Sequence, residues 1–206
     1  MSKVQVDTID TRSGTSTMQI GSTNTSTINI GVSGDTVNIP SGVTIANAGT
    51  ATGFGGNNTP AFHVVLSSNQ AISNATDTIV QFNSETFDTD NAYNTSNYRF
   101  TPQTSGKYFI FSQIRLDTGA NNNNIDYCFV EIWKNGSSVA SSILDFRDDR
   151  DGRKMTIYTA TFVDMNGSSD YVQISGGISA LQTGDLRFAG SSSNTLSYFG
   201  GYKIIT

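Results

Sequence analysis

Four carboxylates, Asp145, Asp148, Asp149 and Asp151, crowd the run ILDFRDDRDGRKM. Acids alternating around a glycine can gather oxygen ligands for Ca2+. Arg147, Arg150, Arg153 and Lys154 stand among them, and these cations would oppose a metal ion while neutralising the acids in a solvated hairpin or across a subunit contact. A weak Ca2+ loop and a self-neutralised hairpin are both readable here; the cationic neighbours favour the hairpin, and no other cofactor is indicated. Paired acids also cleave glycosidic bonds, but a chain of 206 residues lacks the long grooved β-helix on which polysaccharide-degrading spikes carry them.

His63 is the single histidine, inside the apolar run Ala61-Phe62-His63-Val64-Val65-Leu66. Any Ser-His-acid or Cys-His arrangement would have to use it, yet a position on the outer face of a strand beside a linker suits a surface or interface residue better. Cys128 is the single cysteine, which excludes an intrachain disulfide or thiolate cluster; within Tyr127-Cys128-Phe129-Val130 it reads as a small buried hydrophobe. No catalytic set assembles, so the expectation is a protein that is not an enzyme. Asn121, Asn122, Asn123 and Asn124, with Tyr127 and Trp133 nearby, combine amides with an aromatic platform. That combination suits a sugar, or else it is a solvent-exposed turn at the tip of a domain.

The elements that must position these residues are constrained by composition. Charged residues are 14% of the chain, against about 25% in an ordinary soluble domain, so Gly, Ser, Thr and Asn solvate the surface. A net charge of −5 and a pI near 4.6 exclude tracking along phosphates, which needs clustered Lys or Arg; nucleic acid is not an expected partner. The start MSKVQVD has no apolar stretch of signal-peptide length, and no run of ~20 apolar residues occurs, so membrane insertion is not expected. The expected route is synthesis in a cytoplasm and release by virion assembly followed by lysis.

Residues 1–46 repeat a short unit: Thr17-Met18-Gln19-Ile20-Gly21, Thr27-Ile28-Asn29-Ile30-Gly31, Thr36-Val37-Asn38-Ile39-Pro40 and Val43-Thr44-Ile45. Each holds an apolar-polar-apolar triplet, a strand of period two too short to bury its face in one chain. Three chains winding round one axis would supply an apolar centre; the other reading is a disordered Ser/Thr-rich tail. Residues 47–59, NAGTATGFGGNNT, read as a linker. Residues 60–206 predict a β-sandwich or barrel, with strands over 62–66, 79–82, 98–101, 106–116, 126–134, 137–144, 154–163, 170–176 and 195–205. Asn135-Gly136 is a two-residue hairpin signal and Asn166-Gly167 a longer one.

Phe82, Asp88, Tyr93, Phe100, Gly106 and Tyr108 stand at the intervals F-x5-[ND]-x4-[aromatic]-x6-F-x5-G-x-Y. This resembles the signature of the globular head of the complement C1q and tumour necrosis factor (TNF) superfamily. Ile110 and Ser112 depart from the pattern, which has Phe and an aromatic there. The run Tyr198-Phe199-Gly200-Gly201-Tyr202 is similar to the family's last strand, adding Phe199, Gly201 and Tyr202 to the signature core. The resemblance implies an all-β chain whose head is a ten-strand jelly roll associating as a trimer round a threefold axis.

Together these readings predict a homotrimeric viral structural protein, of the bacteriophage type, displayed on the virion surface. A stem of residues 1–46 would engage other virion proteins, and a head of residues 60–206 would serve host-surface attachment, to a glycan for example, or capsid decoration. The alternatives are a bacterial C1q-like adhesin or lectin and, further off, a polysaccharide-degrading tail spike.

Overall fold

The computed structural model describes residues 20, 23–24, 26–46, 58–119, 125–146, 152–181 and 184–204. The chain divides into two compact units, Met1–Thr52 and Gly53–Thr206.

In the first unit the short repeats are separated by turns at Ser33-Gly34 and Ser41-Gly42. Asp35 holds one of them, its N–H donating to Val32 O at 3.0 Å while its Oδ2 accepts from the Val32 N–H at 2.9 Å. Among the described residues no strand forms in this unit within a single chain. Three residues cannot complete a ladder alone, and Ile28, Ile30, Val37, Ile39, Val43 and Ile45 remain exposed.

The second unit is all β, and among the described residues no helix occurs. Its strands are β1 (Ala61–Val65), β2 (Gln70–Ala71), β3 (Thr78–Ile79), β4 (Ser84–Asp88), β5 (Tyr93–Asn94), β6 (Arg99–Phe100), β7 (Gly106–Asp117), β8 (Ile125–Lys134), β9 (Ser137–Asp145), β10 (Lys154–Met165), β11 (Val172–Ala180), β12 (Arg187–Phe188) and β13 (Tyr198–Lys203). All ladders are antiparallel. One sheet runs β2-β12-β7-β13-β1-β4 with β10 on the other side of β7; the second runs β5-β6-β11-β8-β9 with β3 also on β11. Thirteen strands stand where ten were implied, and five of them, β2, β3, β5, β6 and β12, are only two residues long. The strand expected over 79–82 pairs only at Thr78–Ile79.

Period-two alternation builds the core between the sheets. Along β7, Tyr108, Ile110, Ser112, Ile114 and Leu116 are fully buried, and Cys128, Val130 and Ile132 of β8 meet them from the other layer. Phe62 lies at the centre of an aromatic cluster, stacked on Phe100 at 4.0 Å and edge-on to Phe199 at 4.8 Å. One end of the sandwich is fixed by Asp117, only 4% exposed. Its Oδ1 accepts from the Gly119 N–H at 2.7 Å, and its Oδ2 sits 3.2 Å from Arg187 Nη2 and 3.6 Å from Lys154 Nζ.

Candidate functional site

The same alternation that sends Tyr108 and Ile110 inward sends Phe109 and Phe111 outward, onto a sheet face that no other layer covers among the described residues. Register places further aromatics beside them. Phe162 of β10 and Tyr202 of β13 flank Phe109; Tyr158 of β10 and Tyr198 of β13 flank Gln113. In the row between, Phe111 stands between Ala160 and Gly200, with His63 and then Phe87 beyond. The rings are in contact: Phe109 lies 5.4 Å from Phe162 and 5.7 Å from Tyr202, and His63 lies 5.5 Å from Tyr198.

Formal charge is confined to the margins of this patch. Lys107 and Asp164 pair at 2.8 Å at one end, and Arg115 follows Gln113 at the other. Phe162 is 67% exposed, Phe87 50% and Tyr158 49%. A contiguous apolar surface of this kind marks a place of interaction. His63 is half-buried within it, its Nδ1 3.1 Å from Thr86 Oγ1, and burial lowers its pKa from the usual imidazole value. Burial raises the Tyr158 phenol, with Tyr198 and Tyr202 adding to the effect.

The signature residues serve the core and its turns. Phe82, Phe100, Tyr108 and Phe199 are fully buried. Tyr93 donates its hydroxyl to Phe82 O at 2.8 Å, and Tyr108 donates to Thr104 O at 2.7 Å; burial pushes the Tyr108 phenol up to about 12. Asp88 receives the Tyr93 N–H at 2.7 Å and the Asp90 N–H at 3.3 Å, closing its own loop. Gly106 opens β7 at a φ of +143°, and Gly201 faces Ile110 and Phe62. Ser112, where the family pattern has an aromatic, turns inward and donates to Tyr198 O at 2.8 Å. Tyr202 is 38% exposed, because Phe199 and Gly201 take the inward positions of β13 and the alternation turns Tyr202 out. Cys128 is fully buried and its thiol is pushed up to about 12 by burial.

The remaining sequence candidates are divided. Tyr127 and Trp133 are half-buried on the outer face of β8. Asn121, Asn122, Asn123 and Asn124 lie outside the described residues, as do Asp148, Asp149 and Asp151; Asp145 ends β9 and is exposed. Among the described residues no three His, Cys, Asp or Glu side chains converge on a metal position. Sequence reasoning passed over the outward aromatic face. Its signal was present as aromatics two apart in Phe109/Phe111 and four apart in Tyr158/Phe162 and Tyr198/Tyr202, which places each set on one face of its strand.

No family model matches the sequence, and no curated protein matches it. Solved structures do match. The globular domain of zebrafish complement 1qA protein superposes with a TM-score of 0.50 at 15% identity, over 71% of this chain and 98% of that one. Murine APRIL, of the TNF family, crystallised at pH 5.0, gives 0.50 at 12% identity over 70% and 98%. These likenesses establish a C1q/TNF-like jelly-roll fold for the head.

Proposed function

We propose that the chain is the subunit of a homotrimeric fibre or knob on a virus particle, of the bacteriophage type, and that the outward aromatic face of the seven-stranded sheet is the surface on which three heads meet. The uncharged ring patch around Phe109, Phe111 and Phe162 carries this reading. Burying one such ring is worth about 1.5–3 kcal/mol, and a single chain leaves several of them in water. Self-association is also how C1q and TNF-family heads are typically organised. The first unit asks for the same solution, since its triplets expose Ile28, Ile30, Val37 and Ile39 and three copies in parallel would enclose them. Residues 1–46 are then stem and virion anchor, residues 47–59 the linker, and residues 60–206 the head, which acts by binding, in host attachment or capsid decoration, without catalysis.

The virion assignment is tested by mass spectrometry of density-purified particles from cells that carry the gene in its native setting. Detection in particles, with a trimer-sized cross-linked band, supports it. Recovery only from a bacterial cell surface replaces it with the adhesin reading.

A further inference from the structure

The six-stranded sheet has an outward face of its own, and its chemistry differs from that of the ring patch. Along β8, Cys128, Val130 and Ile132 point into the core, so Tyr127, Phe129, Glu131 and Trp133 point out. Across the ladder they stand opposite Ser179, Gly177, Ser175 and Gln173 of β11. Such small partners allow the large side chains to lie down over the neighbouring strand. A Cβ built on Gly177 would come 2.6 Å from Phe129 Cε1, so that ring lies over the glycine. The Tyr127 ring is 6.5 Å from it and inclined by only 24°.

Polar groups border these rings in fixed orientations. Trp133 donates its Nε1–H to Glu131 Oε2 at 2.6 Å, which sets the plane of the indole. Gln173, beside Trp133, is only 6% exposed. Its Oε1 accepts from Arg99 Nε at 3.1 Å, and the Arg99 guanidinium lies 3.8 Å over the Tyr171 ring. The Gln173 carbonyl is thereby committed, while its Nε2 donors find no acceptor among the described residues. Lys134 pairs with Asp170 at 2.9 Å, Arg99 and Glu131 are of opposite sign, and Asp145 is exposed opposite Tyr127, so the cluster carries no excess of positive charge.

We infer that this face binds a neutral glycan. Near-parallel rings offer flat apolar surfaces to the C–H faces of successive pyranose units. Gln173 Nε2 donates to a sugar hydroxyl and Glu131 accepts from one, so a few fixed polar groups set orientation over an apolar floor. The balance of charge disfavours an anionic ligand, and the rigid pairing of each polar group suits a preorganised site. The inference deepens the attachment reading and rests on it only for the source of the glycan, a host surface.

The test is affinity electrophoresis of the full chain through native gels containing dextran, mannan, laminarin or galactan, with dextran sulfate as the anionic comparison. Retardation by at least one neutral polymer is expected. Trp133→Ala and Gln173→Ala should each weaken it by about tenfold or more while the oligomer is unchanged. Gln173→Glu keeps the side-chain volume and the oxygen that Arg99 donates to while removing the Nε2 donors, so its loss of retardation keeps the test decisive if either alanine variant melts early. No retardation by any neutral polymer, retardation only by dextran sulfate, retardation that Gln173→Ala leaves intact, or dissociation of the oligomer by Gln173→Ala would each overturn the inference. Presence in particles without glycan retardation removes this inference alone; retardation without presence in particles removes the virion reading alone.

Discussion

Phe111 lies across Gly200: a Cβ built on that glycine would stand 2.7 Å from Phe111 Cζ and 3.0 Å from the backbone oxygen of Phe62. The ring can sit low on the sheet only because its cross-strand partner has no side chain, and the level of the whole outward patch follows from that.

Gly200→Ala should therefore lift Phe111 and destabilise the head by about 1–3 kcal/mol, the usual cost of overpacking. Urea denaturation of Gly200→Ala, Phe111→Ala and the double variant checks this. The double variant should cost less than the two single costs added together, because removing the ring makes room for the new methyl.

Gly106 begins β7 at a φ of +143°, a conformation that side-chain-bearing residues rarely adopt. Gly106→Val should lower stability by about 2–4 kcal/mol. The atom its Cβ would meet is Lys203 Cε, the far part of a flexible chain, so the cost lies in the backbone. An unchanged melting temperature contradicts this role.

Desolvation alone would raise the Asp117 carboxyl, but the Gly119 N–H, Arg187 and Lys154 outweigh it and hold the pKa below 3.8. A carboxyl depressed in the folded state contributes stability that is complete above the unfolded pKa and is lost as pH falls through the folded one. Asp117→Asn should cost about 1–3 kcal/mol at neutral pH and flatten the acid limb of a stability profile. Chemical denaturation at about pH 7 and about pH 3 measures both effects.

His63 behaves differently, being an imidazole whose charged form burial disfavours. Above 6.5 both the folded and unfolded chains are neutral there and stability is full. As pH falls below that value the unfolded chain takes up the proton first, so stability declines until the folded pKa is reached. Covering the aromatic face with neighbouring heads deepens the desolvation and enlarges the decline. Thermal melts at about pH 7.5 and about pH 5 should show a larger loss for the wild type than for His63→Gln, whose amide can still meet Thr86; equal losses contradict the covered position.

Much of the head was legible because its long strands alternate cleanly. Tyr108, Ile110, Ile114 and Leu116 mark β7, and Asn135-Gly136 marks the β8–β9 turn, where Asn135 takes a φ of +51°. What escaped was defined by partners elsewhere in the chain. Ser84–Asp88 is polar and mostly exposed, and becomes β4 only by pairing with β1. Arg187–Phe188 is two residues long and exists between β2 and β7. β11 continues past Gly176-Gly177 to Ala180 because small residues there admit Phe129 from the neighbouring strand. A glycine pair looks like a strand end until the ring above it is known. The outward aromatic face was hidden for a related reason: its rings come from β1, β4, β7, β10 and β13, and only register gathers them.

The central claim is that three chains share the aromatic face, and sedimentation equilibrium of the full chain at about micromolar concentration, where associations of moderate strength are populated, tests it most directly. The predicted mass is three times the 22.0 kDa of one chain, with measurable dissociation at the same concentration when Phe162→Glu places a charge in the patch. A monomeric wild type, or a trimer indifferent to Phe162→Glu, contradicts it.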